Sequence, residues 1–404
     1  MKILQLCKKF PYPLRDGESI AVVTLSRSLH RLGCKVTLLA MNTAKHYSDI
    51  THIPDELSHY EQVLAVEVDN RVKPLGAFLN LFSRESYHIA RFVSPAFRRE
   101  LSRLLSSQEF DIIQLETLYL APYIPVVRQY SGGRAAMRAH NIEHEIWQRI
   151  AGNTGLLPKR WYLKYLAGKL RRYELEQFNA YDILAPITQR DLSLFRSLGY
   201  NRPAVVTPIG LDSQQYVPDY SSYRRPVSLS FIGSLDWMPN QEGLKWFLDE
   251  VWSKAHDIFP GLELHIAGRN TPSWIGQLRL PNVYVHGEVP DAGAFINQHS
   301  LMVVPLLSGS GMRAKILEGM ALGKVVLATS IGLEGIGASD KREVLVADTP
   351  GQFISSITYC YEQADVLEQM GKAARSFVAR HYDSLQIARR LLDAYTGLAV
   401  EACS

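Results

Sequence analysis

An α/β protein made of two successive doubly wound units is predicted by three features of the sequence. Short, continuously apolar runs alternate with longer amphipathic segments from end to end. The runs fall into two series, and a proline-punctuated polar stretch separates the series. Strands that are apolar throughout belong to parallel sheets covered on both faces. Strand–helix alternation of this kind builds a doubly wound sheet. At 404 residues the chain is long enough for two such units.

The first series of predicted strands covers residues 3–7, 36–40, 63–68, 111–115, 135–139, 183–188 and 205–208. The second covers 227–232, 262–267, 283–286, 301–305, 325–329 and 344–347. Between them, Pro208, Pro218 and Pro226 flank the polar run 219–225, which has linker character. The predicted domains are therefore 1–205 and 206–382. The tail, 383–404, opens with an amphipathic helix whose apolar face holds Leu385, Ala388, Leu391, Leu392 and Tyr395. That helix could pack on either domain.

At 47% hydrophobic and 21% charged, the composition excludes a disordered chain. Charge is uneven: 28 Lys+Arg face 19 Asp+Glu up to residue 204, a net of +9, whereas the remainder is net −5. A basic first half suits an anionic partner or a solvated basic surface. Much of that charge falls between Pro158 and Phe178, where Lys159, Arg160, Lys164, Lys169, Arg171 and Arg172 interleave with Trp161, Tyr162 and Tyr165. Such a helix could lie on an anionic membrane or be a core helix with a solvated face. No nucleic-acid motif accompanies the charge, so nucleic acid is not expected as a partner. Cys7, Cys34, Cys360 and Cys403 form no C-x-x-C pair, which fits a reduced protein without a zinc–cysteine site. Lys8 and Lys9 interrupt the first apolar run, so no signal peptide is read, and no stretch approaches the ~20 apolar residues of a membrane span. A cytoplasmic protein, peripheral on the inner face of the membrane through Pro158 to Phe178, is the expectation.

The densest chemical signal runs from Pro305 to Ser330. A strand ends at Pro305, and a loop with Gly309, Ser310 and Gly311 follows. A helix is then predicted to open at Gly311, with Met312, Arg313 and Lys315 in its first turns and Glu318 one turn on. Glycines admit close backbone approach, and free N–H groups with the helix dipole attract anions. Arg313 and Lys315 add full positive charge, and Glu318 can accept from sugar hydroxyls. The segment reads as a pyrophosphate cradle with a ribose hook, against the plainer reading of a Gly-rich turn before an ordinary helix.

Residues 309–324 resemble the donor motif of glycosyltransferase family 4 and its group 1 relatives. Three further segments agree in order: Pro208-Ile-Gly-Leu-Asp212, Phe231-Ile-Gly233-Ser234, and Val283-Tyr-Val-His286-Gly287 with Glu288 and Val289. The resemblance implies the GT-B fold, two Rossmann-like domains facing across a cleft, and a nucleotide-sugar donor. It implies that the 309–318 segment holds the diphosphate, that Lys315 neutralises the leaving nucleotide, and that Glu318 bonds the ribose. It further implies retention of anomeric configuration, no divalent metal or other cofactor, and a last helix that crosses back to the first domain. Two departures stand out. The first acid of the family's E-x7-E pattern is Ser310 here, and the Arg/Lys pair usual after Gly233 is absent. Arg313, Lys315 and Arg269 are the available substitutes.

In the first half, Asp16 and Gly17 follow the first strand and match the family's Gly loop, or simply cap a helix. His140 lies at the carboxyl end of a predicted strand, where doubly wound folds bind ligands, and matches the family's sugar-facing histidine. His140-Asn-Ile-Glu143-His144 also spells H-x-x-E-H, a zinc-peptidase signature when helical, with Glu174 or Glu176 as a third ligand. The sequence thus predicts a hexose transfer from a nucleotide-sugar to a glycan or lipid-linked acceptor hydroxyl. The alternatives are a non-catalytic nucleotide-binding subunit and a zinc peptidase.

Overall fold

The computed structural model describes residues 1–14, 16–44, 47–50, 52–73, 80–83, 85–309 and 311–400. They form two compact units. The first is Met1–Gly210 together with the chain from Ser384 onward, and the second is Leu211–Asp383.

The first unit's sheet holds β1 (Lys2–Cys7), β2 (Lys35–Thr43), β3 (Gln62–Val68), β4 (Ile112–Leu115), β5 (Arg134–Ala139) and β6 (Ile183–Pro186), in the order β3-β2-β1-β4-β5-β6. Every pairing is parallel, with Leu6 opposite both Leu39 and Leu115. Its helices are α1 (Gly17–Arg31), α2 (Tyr87–Ala90), α3 (Pro95–Ser107), α4 (Ile124–Tyr130), α5 (Glu143–Gly152), α6 (Leu157–Glu176) and α7 (Gln189–Ser197). The continuous apolar runs have a direct cause. Leu4 and Leu6 enter one buried cluster with Phe97, Leu101 and Val127. Ile3 and Cys7 enter the opposite one with Val22, Leu29 and Val36. Both faces of the sheet are covered, so residues of both parities are mostly apolar.

The second unit repeats the design. Its sheet holds β7 (Ser228–Ile232), β8 (Glu263–Ala267), β9 (Val283–Gly287), β10 (Leu301–Val304), β11 (Val325–Ala328) and β12 (Leu345–Val346), in the order β12-β11-β10-β7-β8-β9. Its helices are α8 (Met238–Phe247), α9 (Ser253–Ile258), α10 (Ser273–Gly276), α11 (Ala292–Asn297), α12 (Ala314–Ala321), α13 (Pro350–Glu362) and α14 (Ala364–His381). The last helix, α15 (Ser384–Val400), belongs to the first unit. It buries Ile387, and it places Ala388, Leu391 and Tyr395 in the cluster that also holds Val22, Leu25 and Leu29 of α1. Leu385 and Leu392 are half-buried, so the buried stripe is rotated slightly from the expected face. Each fully buried Leu or Ile there contributes about 1.5–3 kcal/mol.

Three expectations change. Residues 205–208 form no strand; the chain runs beside β6, with Val205 N bonded to Leu184 O and Thr207 N to Pro186 O. Pro203, Pro208 and Pro186 lack the N–H groups a longer ladder needs. The polar run 219–225 is no linker: Tyr220–Arg224 is a 3₁₀ turn inside the second unit, with Ser222 and Tyr223 buried. Lys324, fully buried, fastens it by donating to Asp219 O, to Ser222 Oγ (2.9 Å) and to Asn297 O (3.0 Å). In α6, Lys169 is likewise buried and bonded to Asn80, so it leaves the basic face that Lys159, Lys164, Arg171 and Arg172 keep exposed.

Candidate active site

In a parallel sheet all strand carboxyl ends lie on one edge. In the second unit that edge collects most of the donor-site candidates. Gly233 and Ser234 follow β7, Arg269 follows β8, Gly287 and Val289 are at and beyond the end of β9, and Gly309 to Met312 follow β10. The loops are tied together: Gly233 N bonds Ala267 O (3.2 Å), Leu235 N bonds Arg269 O (2.9 Å), and Gly268 N bonds Gly287 O (2.7 Å). His286, on the edge strand β9, is exposed, and its Nε2 lies 3.0 Å from His265 Nδ1. Ser310 lies outside the described residues.

The helix after the glycines opens at Ala314 rather than Gly311. Gly309 (φ 123°) and Gly311 (φ 78°) occupy left-handed backbone that a helix cannot contain. Arg313 is therefore the N-cap. Its Nη1 donates to Gly311 O (2.7 Å), and its guanidinium lies 5.4 Å from the centre of the Trp237 ring. A Cβ on Gly309 would stand 2.5 Å from Arg313 Nη2, so the glycine makes room for the arginine.

Lys315, in the first turn of α12, reaches back to β7. Its Nζ donates to Ile232 O (3.1 Å) and Asn240 Oδ1 (3.0 Å), and a Cβ on Gly233 would lie 3.2 Å from it. Both acceptors are neutral. Desolvation, with Arg313 nearby, brings the Lys315 ammonium down to about 7, which Glu318 only partly opposes. An amine so placed has a donor to spare and no carboxylate bonded to it, so an arriving anion would hold it protonated. Glu318, half-buried, accepts from Tyr216 Oη (3.3 Å), and burial pushes its carboxyl up. Tyr216 and Asn240 were not singled out from the sequence.

The first unit's carboxyl edge holds a network the motifs did not reveal. Glu116, just past β4, is fully buried. Its Oε1 accepts from Gln5 Nε2 and Gln114 Nε2, each at 2.5 Å. Its Oε2 accepts from Arg138 Nη1 (3.1 Å) and lies 2.9 Å from His140 Nε2. Despite desolvation, Arg138 and His140 hold the Glu116 carboxyl at about 2. It is ionised at neutral pH and can only accept, so the His140 proton facing it sits on Nε2. Tyr395 Oη of α15 donates to Gln114 Oε1 (2.8 Å), and Tyr60 Oη to Gln5 Oε1 (2.8 Å). The last helix is thereby linked through Gln114 to the carboxylate that orients His140.

Asp16 is the N-cap of α1. It accepts from Ser19 N (3.0 Å) and pairs with Lys9 Nζ (2.7 Å); Gly17 is the first helical residue, with open space around it. The structure thus gives Asp16 a capping role. The H-x-x-E-H run is not helical: His140 and Asn141 precede α5, which starts at Glu143. His140 faces Glu116, whereas His144 Nδ1 lies 2.6 Å from Glu174 Oε2, whose carboxylate also receives the N–H groups opening α5. Among the described residues no group of three His, Cys, Asp or Glu side chains is placed to hold a metal ion. Beside this lies Glu143, buried and bonded by Tyr119 Oη (2.9 Å), with its carboxyl raised to about 7 by desolvation. Among the described residues no helix is long and apolar enough to cross a membrane.

Residues 226–363 match the family model described as glycosyl transferases group 1. The chain is 25% identical over 400 residues, 96% of its length and 97% of the relative's, to an "uncharacterized 44.6 kDa protein in cps region" of Klebsiella pneumoniae. Its fold is similar to that of sucrose-phosphate synthase from Thermosynechococcus elongatus, with TM-score 0.70, 15% identity, 99% of this chain and 100% of that one covered. It is similar also to Anabaena HepE, solved in complex with UDP-glucose, with TM-score 0.67, 14% identity, 98% and 100% covered. The second unit thus matches the group 1 glycosyl transferase domain, and the chain shares the GT-B fold along its length.

Proposed function

We propose that the protein transfers a hexose-type sugar from a nucleotide-sugar to an acceptor hydroxyl, with retention and without a divalent metal. The second unit takes the donor and the first the acceptor. The observation that carries this reading is Lys315: a desolvated amine between neutral acceptors, at the mouth of the glycine loop, with Arg313 beside it. Lys315 and Arg313 would neutralise the diphosphate as the sugar leaves, a task a metal performs elsewhere. Glu318 would hold the ribose, and His140, its tautomer set by Glu116, would bond the sugar. The Gly233, Ser234, Arg269, His286, Gly287 and Val289 loops would line the nucleotide. The relative's "cps region" is in keeping with a surface polysaccharide, lipopolysaccharide or other glycoconjugate as acceptor. HepE's ligand makes UDP-glucose the first donor to try.

The test is turnover of UDP-, GDP- and ADP-sugars in EDTA, with the anomeric configuration of the product read by NMR. Transfer with retention, lost in Lys315→Ala, is expected. An inverted product, or turnover that needs a divalent cation, contradicts the mechanism. We propose further that Lys159, Lys164, Arg171 and Arg172 of α6, all exposed, hold the protein on an anionic membrane. Salt-sensitive flotation with phosphatidylglycerol vesicles is expected to be lost on charge reversal at Arg171 and Arg172; binding that survives the reversal refutes it.

A further inference from the structure

Away from the carboxyl edge, the first unit has a cavity of about 860 Å³. That volume lies within the range of small-molecule sites. Its wall comes from the segment around α2, the start of α4 and the end of α6, and includes Ile89, Ala90, Val93, Ile124, Pro125 and Ala180. Tyr173 is the one aromatic side chain on that wall among the described residues, and the remaining named wall residues are aliphatic. Arg128 also borders it, but its guanidinium is engaged by Asp182 Oδ2 (2.9 Å) and Ala180 O (2.9 Å), so among the described residues of the wall no cation is left to hold an anion.

One polar group on the wall is unexplained. Ser86 is buried, and its Oγ has no hydrogen-bond partner. It occupies the N-cap position of α2, where a hydroxyl ordinarily accepts a backbone N–H, yet no such bond forms. A buried hydroxyl without a partner is destabilising unless something else satisfies it. The surface beside the cavity has matching character. Phe82, three residues before Glu85 of the wall, is exposed, and Tyr165 Oη reaches Leu81 O.

We propose that this cavity binds the hydrocarbon chain of an amphiphile, with Ser86 bonding a polar atom near the chain's head. The chain can come from a membrane lipid or from a lipid-linked acceptor. Binding of the chain itself does not depend on the proposed sugar transfer, so the two readings fail separately.

The test uses the full chain and cis-parinaric acid as a fluorescent probe, displaced by decanoate, dodecanoate and tetradecanoate at monomeric concentrations. Saturable 1:1 binding is expected, with competitors tightening by up to about fourfold per added CH₂ until the cavity is full. Ala90→Trp, which fills the cavity, is expected to weaken the probe at least tenfold. Val93→Glu, a charge on the exposed rim, is expected to weaken it about fivefold, and decides the matter should Ala90→Trp not fold. Lys254→Glu, at an exposed position in the second unit, is expected to leave it unchanged. Displacement by phosphatidylglycerol vesicles identifies a membrane source, and displacement by dodecyl phosphate alone identifies a free lipid phosphate. No saturable binding, no chain-length dependence, or equal binding by Val93→Glu overturns the proposal.

Discussion

Replacing Glu116 by Gln removes one charge and almost no volume, and it should cost the first unit much of its stability. The carboxylate receives two donors on each oxygen: Gln5 and Gln114 on Oε1, Arg138 and His140 on Oε2. An amide has one accepting oxygen, so whichever way the new side chain turns, its NH₂ faces two donors. Arg138, 1% exposed, loses its counter-charge. Breaking a buried pair in this way costs about 3–5 kcal/mol. The depressed Glu116 carboxyl points the same way. It lies at about 2 against an ordinary 4.5, and at ~1.4 kcal/mol per unit this is worth roughly 3 kcal/mol. At about 2–4 °C per kcal/mol for a unit of this size, the melting temperature should fall by roughly 6–20 °C at pH 7.5. The pH dependence has a definite sign. Because the folded-state value is depressed, the stabilisation is complete above about 4.5 and is lost as pH falls toward about 2. Wild type and Glu116→Gln should therefore converge through that window. Melts followed by circular dichroism at pH 7.5 and along an acid series test this. A variant that melts within about 2 °C of wild type at pH 7.5 refutes the reasoning.

Three further outcomes follow from the same geometry. Lys315 at about 7 must be protonated to pair with a diphosphate, so nucleoside diphosphate affinity should fall by up to about tenfold per pH unit above 7 and level off below it; calorimetry at several pH values should show the slope in wild type and none in Lys315→Ala. Gly243→Ala in α8 would put a Cβ 2.2 Å from Pro305 O, a backbone atom that cannot step aside, and should cost about 2–3 kcal/mol in urea unfolding of the second unit. Tyr395→Phe deletes the hydroxyl that donates to Gln114 and should cost about 1–2 kcal/mol, measured as a shift in the first unit's transition.

Much of the fold was legible because burying both faces of a parallel sheet writes strands as unbroken apolar runs; all but one of the expected strands formed. What was hidden depends on polar groups used against type. Gln5 and Gln114 sit inside strands that are otherwise apolar, and Glu116 ends one, so nothing in their spacing marks a shared carboxylate. Lys169 read as part of a basic helix face, and Lys324 closes the donor-like segment, yet each is buried on backbone acceptors that only the fold brings near. The run 219–225 has linker composition, but its Asp219 carbonyl and Ser222 hydroxyl are taken up by Lys324. Glycine spacing pointed to residues 309–318 as a candidate cradle; its local geometry was not legible, since the left-handed Gly309 and Gly311 delay the helix by three residues and turn Arg313 into a cap.

The central claim is that the carboxyl edge of the second unit holds a nucleoside diphosphate through Lys315 and Glu318. Thermal-shift titration with UDP, GDP, ADP and CMP in EDTA tests it most directly. A nucleoside diphosphate at about 100 times its dissociation constant should stabilise the protein by about 2.7 kcal/mol, with the shift lost in both Lys315→Ala and Glu318→Ala. No shift with any nucleotide, or one that persists in both variants, would contradict the account.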